Sequence, residues 1–289
     1  MLNLIRLSSG KGDLMSNRAN SRRGAWFAAL AYTLFVGAGC AALIGEAAPT
    51  PEPTLAADPS PAFAVLVFSR TTGFRHASIP AGIAALRELG AAHGFSVEAT
   101  EDSSRFSDTG LAPFQVVVFL NTTGDVLDAD QEAAFERFIR AGKGFVGIHS
   151  ASDTEYDWAW YGGLVGAYFA DHPAIQPAEL DVLRNDHPAT AGLPARWART
   201  DEWYNFRAPL ADDIAVLITV DETTYNGGTM GAGHPISWYH AYDGGRAFYT
   251  ALGHTEESYV EQLFRAHLAG AVRWAAGSDQ RVALPLLGG

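Results

Sequence analysis

The chain has 289 residues, a net charge of −12 and a single cysteine, Cys40. So acidic a surface repels phosphate backbones and anionic lipid, which excludes nucleic acid as a partner and favours neutral substrates or cations. Everything after Cys40 is thiol-free, so a disulfide, a cysteine nucleophile and a zinc–thiolate site are excluded from the folded part.

In chain order, Arg18, Arg22 and Arg23 precede an uncharged apolar run over residues 24–45. A basic start before an apolar core reads as an export signal, here residues 1–40. Val36-Gly37-Ala38-Gly39-Cys40 reads as a lipoprotein processing site that lipidates Cys40, although Gly37 stands where such sites carry a large aliphatic. Simple cleavage near Ala47 or Ala48 and an uncleaved anchor are the alternatives. All three put the domain outside the cytoplasm, touching the membrane only through an N-terminal lipid or anchor. Residues 41–62 are rich in Ala and Pro and read as a tether. Residues 63–277 suit one α/β domain, and 278–289 form a tail.

Within the domain, Phe63–Ser69 reads as a buried strand. Ser78 and Pro80 open a helix that runs to His93 and ends at Gly94. Phe95–Thr100 and Gln115–Asn121 are further strands, Ala129–Ala141 is an amphipathic helix, and Gly144–His149 is a fourth strand. Near-continuous aliphatic strands with helical crossovers predict a mainly parallel, doubly wound sheet covered on both faces. Later segments read as antiparallel. Ile214–Val220 is a strand, and Pro235–Tyr242 and Arg246–Gly253 flank a hairpin turn at Asp243-Gly244-Gly245. Glu256–Ala276 reads as one long helix stopped by Gly277.

Ligands of such sheets bind where the parallel strands end. His76, His149 and His254 each follow a predicted strand. His149 sits at a strand-to-helix turn with Ser152 and Glu155 in capping-box spacing. A helix N-terminus there favours a neutral imidazole, suited to a base or a metal ligand; capping or packing of the turn is the alternative. His254 is the candidate proton donor. Glu202, in the cluster Asp201-Glu202-Trp203-Tyr204-Asn205, is the candidate carboxylate. Arg75 and His76 are candidates for holding a substrate oxygen. Trp158, Trp203, Tyr204 and Trp238 are candidate platforms for a sugar ring, with core packing as the alternative. His172 and His187, each between Asp and Pro, read as turn residues. His93 and His267 lie in helix patterns and read as structural.

The segments TTGFRHASIPAG (71–82), GFVGIHSASDTEYDW (144–158), GAYFADHPA (166–174), DHPATAGLP (186–194), TDEWYNF (200–206), TYNGGTMGAGHPISWYH (224–240) and GGRAFYTALGH (244–254) carry a resemblance that spans the whole domain. In them the chain resembles the ThuA-like (trehalose-utilisation) family of the class I glutamine amidotransferase-like superfamily. The resemblance implies a three-layer flavodoxin-like sandwich with a C-terminal antiparallel hairpin, and the handling of disaccharides or their keto forms. Amidotransferases place a cysteine at the strand-to-helix elbow. Here His149 occupies it, so glutamine hydrolysis by that route is excluded. Three functional readings follow. The first is an extracytoplasmic enzyme, of hydrolase or isomerase type, whose partner is a small-molecule carbohydrate. The second is a divalent-metal hydrolase whose zinc or manganese ion is held by some of His76, His149, His172, His254 and Glu202. The third is a non-catalytic sugar-binding module.

Overall fold

The computed structural model describes residues 61–278. The export signal, the Cys40 lipidation site, nearly all of the tether and the tail beyond Ser278 lie outside the described residues. No helix among those described is long and apolar enough to cross a membrane.

The first half alternates strand and helix: β1 (Phe63–Phe68), α1 (Ile79–His93), β2 (Phe95–Thr100), a short α2 (Asp108–Leu111), β3 (Val116–Leu120), α3 (Ala129–Arg140) and β4 (Gly144–Ile148). Gly94 closes α1 in the left-handed conformation. Asp128 and Gln131 form a capping box on α3. A short α4 (Ala159–Val165) follows, then β5 (Phe169–Asp171), β6 (Gln176–Val182), β7 (Arg196–Asp201), β8 (Asn205–Phe206), β9 (Ala215–Val220), β10 (Pro235–Tyr242), β11 (Gly245–Thr250) and α5 (Gln262–Ala275).

Nine strands form one sheet in the order β2-β1-β3-β4-β11-β10-β9-β6-β7. The first five are parallel neighbours. The remaining steps are antiparallel. β5 and β8 pair separately. β3 and β4 are buried along their whole length, as expected of parallel strands covered on both faces. Successive residues of β3 show the two covers. Phe119 stacks on Phe135 of α3 at 5.5 Å, while Leu120 faces α1 so closely that a Cβ on Gly82 would lie 2.9 Å from it. α5 rests directly on the backbone of β4, since a Cβ on Gly144 would lie 2.4 Å from the Ala275 carbonyl oxygen.

Three local expectations are corrected. The long C-terminal helix is two pieces: residues 256–260 make a 3₁₀ turn, Glu261 is extended, and α5 begins at Gln262. The Glu261 carboxylate accepts a hydrogen bond from the Trp197 indole at 2.7 Å, which fixes the break. The residues after β4 form a 3₁₀ turn, His149–Asp153, rather than the first turn of an α-helix. The capping box there does not form, because Glu155 instead accepts the Val126 and Leu127 N–H groups, both at 2.9 Å. Finally, β6 and β7 were not expected as strands. β6 carries Pro177, and β7 turns Trp197, Arg199 and Asp201 inward. A strand that buries an arginine–aspartate pair shows no apolar alternation.

Candidate active site

β1, β4 and β11 run the same way, so their C-terminal ends share one edge of the sheet. β7 is reached after four antiparallel steps and again points that way. The chain leaving these four ends carries His76, His149, His254 and Glu202. Asp201, the last residue of β7, ties the far edge to the near one. Its fully buried carboxylate accepts the Gly253 N–H at 2.9 Å and the His254 N–H at 3.1 Å. It also accepts the Glu202 N–H at 3.0 Å and pairs with Arg199 at 3.0 Å. One carboxylate thereby holds Glu202 beside His254.

His149 has a positive φ of 50°, a strained conformation for a residue with a Cβ. Its carbonyl accepts the Tyr249 hydroxyl at 2.7 Å. Its ring Nδ1 lies 2.7 Å from the Ala251 carbonyl oxygen. A carbonyl can only accept, so Nδ1 carries the proton and a neutral ring presents a bare Nε2. Among the described residues no α-helix N-terminus faces the ring; a backbone carbonyl fixes which nitrogen donates. Nε2 stands 3.0 Å from His254 Nδ1 and 3.5 Å from Glu202 Oε2, and His254 Nδ1 is 3.0 Å from the same Oε2. His76 lies edge-on to both rings with centroids 4.9 Å away. One donor atom from each of His76, His149, Glu202 and His254 falls within 4.8 Å of the others, a grouping that could hold a metal ion.

Electrostatics suit that grouping. Burial, reinforced by the neighbouring imidazoles, pushes His76 down to about 3, so it is neutral at physiological pH. Burial alone would raise the Glu202 carboxyl, but the facing imidazoles of His149 and His254 outweigh it and bring Glu202 down to about 2. The floor is thus a carboxylate among imidazoles.

Above it lies a cavity of about 420 Å³ lined by Phe74, His76, Asp153, Phe169, His172, Glu202, Tyr204 and His254. Tyr204 covers His149 at a ring separation of 4.2 Å, and Phe169 packs on Tyr204 at 4.3 Å. Phe74 is 67 % exposed at the rim. On the wall, the Tyr156 hydroxyl donates to Asp153 at 2.6 Å. Burial pushes the Asp153 carboxyl up, against that hydrogen bond.

His76, His149, His254, Glu202 and Tyr204 therefore meet as the sequence suggested. The other candidates do not join them. Trp203 and Trp238 are fully buried, and their indole N–H groups donate to the carbonyls of Gln176 and Val165. A side chain sealed in the core has no face to offer a ligand. Trp158 stacks between Trp160 and Tyr161 and bonds Glu136, outside the cavity lining. Arg75 pairs with Glu101 at 2.7 Å and is not a lining residue.

Phe74, Asp153 and Phe169 line the cavity but escaped the sequence reading, which took His172 as a turn residue or, in the metal alternative, as a ligand. His172, expected as a turn residue, places Nδ1 3.0 Å from Glu202 Oε1 while also facing the Pro173 carbonyl at 2.9 Å. Asp153 ends the loop that His149 begins, so its position after β4 was the available signal. Phe169 lies on the small β5–β8 pair, where sequence periodicity offers none.

The sequence model of the ThuA family, described as trehalose utilisation, matches residues 64–275. A ThuA-like protein from Bacteroides uniformis shares the fold at 24 % identity and a TM-score of 0.65, covering 78 % of this chain and 95 % of its own. A ThuA-like protein from Parabacteroides merdae is similar at 20 % identity, also with a TM-score of 0.65, covering 78 % of this chain and 94 % of its own. No curated protein matches this chain.

Proposed function

The chain belongs to the ThuA family, described as trehalose utilisation, and from that premise we propose that it is an enzyme acting on a disaccharide or keto-glycoside in the cavity above His149. The observation that carries this reading is the convergence of four side chains at one cavity: His76, His254 and Glu202 line it, and His149 is buried directly behind them. A buried imidazole–carboxylate cluster is more than a lectin-like binding face needs. The cavity's 420 Å³ falls within the range of about 300–1,000 Å³ usual for small-molecule sites.

Each part has a role suited to a sugar. Phe74 and Phe169 offer ring faces against which a pyranose packs, with polar groups at its edges. The floor meets the reacting oxygen, a ketone or the glycosidic bridge, and stabilises charge that builds on it. His172 and Asp153, on the wall, are the groups placed to carry protons to and from the substrate. No thiol stands at the elbow, so the reaction is not the amidotransferase one. The basic and apolar leader with Cys40 supports an extracytoplasmic place for this chemistry, tethered by a lipid or secreted.

The test is to incubate the purified protein with a panel of disaccharides and their keto derivatives and follow products by mass spectrometry and NMR. Turnover of at least one, lost in His149→Ala with the fold retained, is the expected result. Saturable binding with no product across the panel would overturn the enzyme in favour of a sugar-binding module.

A further inference from the structure

We infer that His76, His149, His254 and Glu202 form a binding site for one zinc ion, an inference that rests on the reading above only in placing the ion at the floor of the substrate cavity.

The protons at the cluster do not match its acceptors. The Ala251 carbonyl takes the His149 Nδ1–H as its donor, so the neutral ring that could ligate a metal turns Nε2 to the cluster as a bare lone pair. Glu202, ionised, has only acceptors. His254 Nδ1 stands 3.0 Å from both His149 Nε2 and Glu202 Oε2. If it carries a proton, that one proton faces two acceptors. The remaining edge, His149 Nε2 to Glu202 Oε2 at 3.5 Å, is then two lone pairs facing each other out of water. Such an arrangement is costly unless a cation lies between them.

The spacing fits a small ion. Ligands about 2.0–2.1 Å from a tetrahedral zinc lie roughly 3.3 Å apart. The three edges measured here, 3.0, 3.0 and 3.5 Å, straddle that value. His76 supplies a further ring nitrogen within 4.8 Å of the other three donor atoms, and the cavity leaves room for water or a substrate oxygen. The donor set is imidazole and carboxylate without thiolate, which suits zinc in a reacting rather than a purely structural site.

The outer contacts are those that metal ligands need. The Ala251 carbonyl orients His149. His172 Nδ1 faces the second oxygen of Glu202. Asp201 fixes the backbone of both Glu202 and His254. The chemistry follows from the site: a bound zinc polarises a sugar carbonyl or lowers the pKa of a water.

The experiment uses full-length protein stripped with a chelator, then titrated with zinc chloride by calorimetry in the absence of any sugar. About one zinc per chain is expected, together with a rise in melting temperature and visible absorption bands when cobalt replaces zinc. His149→Ala, His254→Ala and Glu202→Gln should each weaken zinc binding at least 100-fold, while His93→Ala, at an exposed helix position, should not. Circular dichroism of the stripped variants checks their fold. If a variant fails to fold, the wild-type melting shift and cobalt spectrum still decide. No zinc uptake by the wild type, uptake unchanged in the folded variants, or uptake of manganese alone would overturn the site. Stoichiometric zinc with no sugar turned over would overturn only the enzyme reading. Sugar turnover by the metal-free protein would overturn only the part given to zinc in the chemistry.

Discussion

The parallel and antiparallel halves of the sheet supply the cavity in different ways. From the parallel half, His76, His149 and His254 follow β1, β4 and β11, where a covered strand emerges at a fixed point. From the antiparallel half, Glu202 arrives at the end of the edge strand β7. It is held in place by a buried polar network: Asp201 bonds the backbone of the last histidine loop, and Arg199 pairs with Asp201 while lying over Trp197 and Phe264. Topology brings the histidines to one edge, whereas the carboxylate is held beside His254 by hydrogen bonds that span the sheet.

The largest effect expected from this contrast is chemical. His149→Ala should lower turnover by about 10³-fold or more, because removing one member of a polarising centre disables the whole. Steady-state kinetics on the sugar found in the panel checks it. Asp201→Ala tests the other half. It leaves Arg199 buried without its nearest carboxylate and should cost about 3–5 kcal/mol of stability, seen as a lower denaturation midpoint. If the clamp is real, the residual folded protein also loses activity, since Glu202 and His254 are no longer held together. A cost under 1 kcal/mol would show that the far strand docks by apolar packing instead.

A pH experiment addresses the parallel half. His267 of α5, wholly buried, bonds the Ala189 carbonyl at 2.8 Å. Burial pushes it down to about 4. Its folded value lies below its unfolded one, so from pH 6.5 downwards the unfolded chain takes up a proton that the folded chain refuses. Stability is therefore lost as pH falls from about 6.5 to about 4 and levels off below. The loss is on the order of 3 kcal/mol. Melting curves at pH 7 and 5 should differ less in His267→Gln than in the wild type.

Two smaller effects sharpen the comparison at the cavity wall. Asp153→Asn should lower kcat by about 10²-fold with little change in zinc binding or melting temperature, as expected of a proton carrier. Phe74→Ala, at an exposed rim position, should raise KM several-fold and leave stability within about 0.5 kcal/mol. Equal effects on kcat and KM from Phe74→Ala would move it from the rim to the reacting centre.

The two halves also differed in what their sequences disclosed. FAVLVF, VVVFL and GFVGI are apolar throughout because both faces are covered, and such runs are visible without a structure. The histidines that follow them could be placed at one edge from strand order alone. β6 and β7 gave no such signal, since an inward Arg199 and Asp201 erase the alternation that marks a strand. Glu202 stood out only as an acid among aromatics, and the Asp-His-Pro context of His172 favoured a turn role over the ligand role that it also offered. Trp203 and Trp238 misled for the converse reason: Trp203, next to Glu202 in sequence, and Trp238, in the middle of β10, both turn into the core. What the sequence lacked was the long-range pairing of β6 with β7 and β9, which decides the side each residue faces.

The central claim is that a carboxylate from the antiparallel edge and imidazoles from the parallel strands form one reaction centre. Turnover by Glu202→Gln tests it most directly, because the substitution keeps the shape of the side chain and removes its charge. A loss of at least 100-fold is predicted, with the fold retained by circular dichroism. Turnover within threefold of the wild type would contradict it.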